Sequence, residues 1–399
     1  MTPHHILAER RPRPVTPSSG ARAELRLGLI CDLVEENWPS MDLVAEFLWT
    51  QLRARPEGEV LAKCIRPRMA RRLSRLRCVG AGGMARNGDR FLARFWDYPR
   101  HLRRRAGDFD CFHVCDHSYA HLVRELPAER TGVFCHDLDA FRCLLAPELE
   151  ARPTWFRAMT RRILRGLQRA ALIFCSTRVT QERIKELSLV DPSRLVYAPY
   201  GVAPEFSAEL DLSDAELGRR LNLPKGPWLL HVGSCIPRKR VDVLLDVLSA
   251  IRERHPDLSL VQVGGKWTPA LLRQITQYRL TAAVRQFRGL DRMTLAALYR
   301  RARLVLLPSE AEGFGLPVVE ALACGAPVVA SELPVLREVG GKAAVYCHVA
   351  NVPHWVETVA RLLTNPDAGP DRTVRIAQAR CFSWQKHAET ILNAYQGLG

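Results

Sequence analysis

The chain has 399 residues, 47% hydrophobic and 25% charged, the make-up of a globular protein with room for two domains of about 150–200 residues each. No apolar run approaches the roughly 18 residues of a membrane span, which excludes an uninterrupted apolar membrane-spanning helix. The formal net charge of +16 is uneven: residues 1–200 carry 34 basic and 23 acidic side chains (net +11), the remainder 24 and 19 (net +5).

Residues 1–24, rich in Pro, Arg and Ser, are expected to form a disordered tail without the apolar segment of an export signal. Beyond them, short apolar runs alternate with helical periodicity, the pattern of parallel-sheet α/β units. Strands are predicted at 25–31, 109–115, 132–136, 171–176 and 194–199. Helices are predicted at 41–52, capped by Ser40, and near 118–126, 154–170 and 178–187. The segment 68–77 is also read as helical, with Met69, Leu73 and Leu76 on one face among arginines. In 154–170, Arg157, Arg161, Arg165 and Arg169 form a stripe opposite Phe156, Met159, Ile163 and Leu167. Such stripes fit an anionic membrane surface or a merely solvated face. No aromatic residues are interleaved with them, so nucleic acid is not the expected partner.

Pro204, Pro224 and Pro227 bracket the expected linker, with a boundary near residue 205. The second half repeats the alternation, with strands at 228–233, 258–264, 284–289, 302–308, 326–331 and 343–347 and a last helix over 384–395. The predicted organisation is a domain over 25–204, a second over 205–375, and a segment 376–399 crossing back to the first.

Twelve cysteines without paired spacing suggest buried reduced thiols and a cytoplasmic chain. Cys111, His113, Cys115, His117 and His121 fall close together, but no second half-site of suitable spacing exists, so no metal site is expected.

The most informative stretch is PSEAEGFGLPVVEALACGAPVVAS, residues 308–331. Gly313 and Gly315 let backbone approach a ligand closely, and Pro317 suits the start of a helix whose free N–H groups attract phosphate. Glu320 is suited to sugar hydroxyls rather than to an anion. Together with Glu312, the string resembles the E-x7-E segment of retaining glycosyltransferases of glycosyltransferase family 4. That resemblance covers about residues 25–395 and implies a GT-B fold, two Rossmann-like domains facing each other across a cleft.

It further implies a nucleotide-sugar donor site made by Gly233, Ser234, Arg238, Lys239, Glu312, Gly313, Phe314, Gly315, Leu316 and Glu320. Lys239 and Arg238, before a predicted helix, suit a diphosphate. Ser234 stands where the family often has arginine. By resemblance, His136 in FCHDLDAFR faces the donor sugar across the cleft, so the catalytic set is His136, Glu312 and Lys239. On the acceptor side stand Trp38, Ser40, Asp116 and His117; the glycine-rich loop usual there is replaced by EENWPS.

The expected function is a retaining hexosyltransferase without cofactor or metal. It would move a mannose- or glucose-type unit from a nucleotide diphosphate to a growing glycan, in cell-surface polysaccharide or lipopolysaccharide synthesis at the cytoplasmic face of a membrane. The competing readings are a GT-B nucleotide-sugar epimerase and a non-catalytic RNA- or membrane-binding protein.

Overall fold

In the computed structural model, residues 24–36, 38–75, 83–209 and 220–398 are described. The predicted tail, the end of the 68–77 segment and part of the predicted linker lie outside them.

The first half contributes β1 (Leu25–Ile30), α1 (Pro39–Arg53), β2 (Val60–Ile65), α2 (Gly83–Leu92), α3 (Tyr98–Arg103) and β3 (Cys111–Val114). It continues with β4 (Thr131–Cys135), α4 (Arg142–Leu145), α5 (Thr154–Arg169), β5 (Leu172–Cys175), α6 (Arg178–Glu186) and β6 (Leu195–Tyr197). These strands form one parallel sheet in the order β2-β1-β3-β4-β5-β6. The central strands β3, β4 and β5 are buried along their whole length, as a sheet covered on both faces requires.

The second half gives β7 (Trp228–Gly233), α7 (Val241–Arg252), β8 (Ser259–Gly264), α8 (Pro269–Gln277), β9 (Val284–Phe287), α9 (Arg292–Arg301) and β10 (Leu304–Leu307). Then follow α10 (Leu316–Ala323), β11 (Val328–Ser331), α11 (Pro334–Gly340), β12 (Val345–Cys347), α12 (Val352–Thr364), α13 (Arg372–Ala379) and α14 (Trp384–Gln396). The second parallel sheet runs β12-β11-β10-β7-β8-β9. Two doubly wound parallel sheets are thus present, as the alternation of runs predicts.

The helix α14 packs on the first sheet. Trp384 stacks on Phe47 of α1 with centroids 4.7 Å apart, and the Tyr395 hydroxyl donates to the Phe112 carbonyl at 2.8 Å. Two further contacts join the halves. The Glu338 carboxylate on α11 accepts the Arg178 and Val179 N–H groups at the start of α6, at 2.8 and 3.1 Å. Arg292 of α9 lies over the Phe47 ring at 4.5 Å.

Four details depart from the sequence reading. Ser40 lies inside α1 rather than capping it, because the helix begins at Pro39 and Trp38 holds the cap position without a side-chain bond. Strand β2 was not anticipated: it is an edge strand whose Leu61 is 53% exposed, so it lacks a continuous apolar run. Residues 83–103 are helical without having been predicted so, α2 and α3 being joined by a π-helical segment, Ala93–Asp97. The segment from 68 is not a helix; only Leu73–Arg75 make a single tight turn. Its N–H groups are claimed by Asp89, whose buried carboxylate accepts from Arg72, Leu73 and Ser74 at 3.0, 2.7 and 3.1 Å. Among the described residues no helix is long and apolar enough to cross a membrane.

Candidate active site

Open parallel sheets bind ligands beyond the carboxyl ends of their strands, and the predicted residues cluster there. In the second domain, β7 ends at Gly233 and the chain makes one 3-10 turn, Pro237–Lys239, before α7. Arg240 completes that turn in the left-handed region at φ 48°, an uncommon conformation for a residue with a side chain. Lys239 thereby reaches the loop after β10, where its ammonium donates to Glu312 Oε1 at 2.5 Å. Ser309 Oγ donates to the same oxygen at 2.7 Å, and Arg238 donates to the Ala311 carbonyl at 2.8 Å while lying 3.8 Å from Glu312 Oε2. The side chains of Lys239 and Glu312 are 13% and 7% exposed, so each neutralises the other in a nearly dry place.

Gly315, at φ 92°, precedes α10, a backbone turn that favours glycine. A Cβ on Gly313 would come to 3.2 Å from the His136 carbonyl and 3.3 Å from Asp137 Oδ2, so this loop meets the first domain's loop after β4. Glu320, on α10, has a separate environment: Tyr299 donates to its Oε2 at 2.9 Å. Burial pushes its carboxyl up to about 7, with the Tyr299 bond pulling the other way. Ser234 follows the end of β7, and Leu316 packs partly buried against the core at the start of α10. The Phe314 ring does not face the loop surface as a donor contact would. It is 4% exposed and wedged edge-on between Tyr200, 4.9 Å away, and Phe382, 5.6 Å away.

In the first domain His136 directly follows β4, but its imidazole is not free to meet a sugar. Nε2 faces the Cys115 carbonyl at 2.9 Å, a pure acceptor, so that nitrogen carries the hydrogen, and Nδ1 is met by the Tyr200 hydroxyl. Burial holds this imidazole down to about 4, hence neutral. The ring is a strut between β3, β4 and the segment after β6. Asp137 turns its carboxylate to the Asp139 N–H at 3.0 Å, fixing the next turn. Asp116 caps the 3-10 run His117–Glu125 through the Ser118 N–H at 2.8 Å and hydroxyl at 2.7 Å. His117 is 5% exposed, and its Nε2 makes no hydrogen bond, lying 3.8 Å from Asp137 Oδ1. Trp38 and Ser40, by contrast, stand exposed at the start of α1.

Sequence reasoning missed Asp32, two residues beyond β1. It is 4% exposed, and neither carboxylate oxygen meets a donor. Burial, followed by the neighbouring Asp116 charge, raises its carboxyl to about 9, so it is protonated at neutral pH. An acid just past the end of a central strand was the available signal.

Asp116, His117 and His136 bring three metal-type donors within 4.8 Å of one another. His136 has spent both nitrogens, and Asp116 serves as a cap, so the nitrogen of the trio without a hydrogen bond is His117 Nε2, 3.8 Å from Asp137 Oδ1. The Cys and His residues that fall close together in sequence have separate partners: His113 Nδ1 meets the Tyr395 hydroxyl at 3.0 Å, His121 Nε2 meets the Arg94 carbonyl at 3.0 Å, and Cys111 and Cys115 are buried free thiols.

Two facing Rossmann-like domains, with motif residues at the carboxyl ends of both sheets, define the GT-B class of fold. Solved structures agree along nearly the whole chain. Anabaena HepE in complex with UDP and glucose superposes with a TM-score of 0.71 at 16% identity, covering 94% of this chain and 100% of that one. WaaG, a glycosyltransferase involved in lipopolysaccharide biosynthesis, gives 0.64 at 15% identity over 92% and 95%. Residues 215–380 match the family described as Glycosyl transferases group 1. D-inositol 3-phosphate glycosyltransferase of Salinispora tropica is 36% identical over 230 residues, 51% of this chain and 46% of that protein. O-antigen chain mannosyltransferase B of Escherichia coli is 27% identical over 277 residues, 68% of this chain and 71% of its own length. The chain thus spans about half the length of the first of these relatives and more of the second.

Proposed function

We propose that this protein is a retaining hexosyltransferase, moving a mannose- or glucose-type unit from a nucleoside diphosphate to a growing glycan of a cell-surface polysaccharide or lipopolysaccharide. The observation that carries this reading is the knot of Lys239, Arg238, Ser309 and Glu312, inside the family-matched region and against the first domain's β4 loop. A diphosphate entering beside Lys239 takes over the charge that Glu312 now balances, and Glu312 is released toward the sugar. Glu320 holds the ribose hydroxyls.

As the sugar–phosphate bond breaks, Lys239, Arg238 and the start of α10 meet the charge growing on the leaving diphosphate, so no metal ion is required. The acceptor hydroxyl attacks the same face of the sugar, its proton passing to the departing phosphate oxygen, and the anomeric configuration is kept. His136 acts by position, fixing the loop that Gly313 approaches. The chain works on the cytoplasmic side of a membrane, with Arg161, Arg165 and Arg169 exposed along α5 and Trp155 64% exposed near its start.

The test is a panel of UDP, GDP and ADP sugars with glycan acceptors, the product anomer being read by NMR. The expected result is one preferred donor and a product of the donor's own anomeric configuration. An inverted product, or a changed free sugar formed without acceptor, overturns the reading.

A further inference from the structure

A carboxyl group buried without a donor is costly in a native fold and calls for an explanation. Asp32 sits beside Asp116, which follows β3, the strand paired with β1. Its cationic neighbours are already committed: Arg94 lies 3.4 Å from Glu36, and Arg66 donates to Asp42 at 2.6 Å. Acid is therefore in surplus around Asp32, and a phosphate placed there is repelled. A hydroxyl is not. With its proton shared toward Asp116, Asp32 keeps one oxygen that only accepts. His117, adjacent to Asp116 in the chain, supplies a second buried atom without a hydrogen bond, Nε2, which lies 3.8 Å from Asp137 Oδ1.

We propose that Asp32 and His117 bind two hydroxyls of the acceptor, and that the ring they hold is an uncharged sugar rather than a phosphorylated one. This rests on the glycosyltransferase reading above and names its acceptor class. Asp32 is then a binding residue that reads hydroxyls as a neutral carboxyl group, so an amide in its place should serve almost as well.

The experiment measures binding of methyl α-mannopyranoside and of mannose 6-phosphate to the full chain by saturation-transfer NMR, with and without UDP or GDP. Wild-type protein is expected to bind the neutral glycoside and to exclude the phosphate ester. Asp32→Ala and His117→Ala are expected to weaken the glycoside about tenfold, and Asp32→Asn to stay within about threefold of wild type, the scale of one or two hydrogen bonds. Unchanged melting temperatures and nucleotide affinity show that each variant is folded.

Wild-type binding of the phosphate ester at or above that of the glycoside, no glycoside binding at all, or full binding by Asp32→Ala overturns the inference. So does loss of binding in Asp32→Asn equal to that in Asp32→Ala. Failure of wild-type protein to bind either nucleotide strikes the donor reading alone, because the glycoside is also measured without nucleotide.

Discussion

Replacing Glu320 by Gln tests the electrostatics of the second domain directly. The amide keeps an acceptor for the Tyr299 hydroxyl while removing the charge that burial opposes. On folding, the carboxyl rises from its ordinary 4.5 to about 7. The folded chain therefore holds this proton more tightly than the unfolded chain. The stabilisation it gives is full below pH 4.5 and is lost as pH climbs through about 7. The complete loss corresponds to about 3 kcal/mol, of which about 2 kcal/mol falls between pH 5.5 and 8.5. For a domain of this size that is about 4–8 °C in melting temperature. Thermal unfolding of wild type and Glu320→Gln at those two pH values is the assay. The variant should gain on wild type by that amount at the higher pH. A gap that stays the same at both refutes the argument that Glu320 is buried at a cost.

Lys239→Ala leaves the nearly buried Glu312 carboxylate with only the Ser309 hydroxyl and the more distant Arg238, and should cost about 1–3 kcal/mol in urea unfolding; adding Glu312→Gln should recover most of it. The same lysine substitution should weaken nucleoside diphosphate binding about tenfold or more by calorimetry. Glu338→Ala removes two bonds from the start of α6, and should cost about 1 kcal/mol and speed hydrogen exchange at Arg178 and Val179. Trp384→Ala, at a site 4% exposed and stacked on Phe47, should destabilise the chain by about 3–5 kcal/mol in the same urea assay.

The parallel sheets were legible because buried strands such as Val133–Cys135 and Leu304–Leu307 are uninterrupted apolar runs. Strand β2 was hidden by its edge position, which exposes Leu61 and leaves no such run. The arginine-rich stretch from residue 68 has a helical pattern, yet Asp89, fifteen residues beyond Ser74, takes its N–H groups into a turn. Local periodicity carries no information about that distant acceptor. The residues proposed for the donor share one short segment and one turn, so their grouping was readable. The proposed acceptor side draws on the ends of β1 and β3, which become neighbours only when the sheet forms, and Asp32 went unnoticed for that reason. His136 was placed correctly at its strand end, but sequence cannot show that Cys115 and Tyr200 close around its ring.

The return of α14 has a bearing on how the protein is made. Phe112 and His113, in the middle of the first sheet, complete their contacts with Tyr395, a partner nearly three hundred positions later in translation. While the ribosome is still adding the second half, the part of the first sheet that α14 covers must wait exposed. Such a nascent chain offers chaperones a long interval in which to act, and a ribosome stalled after residue 380 would release a protein whose earlier half is the less finished one.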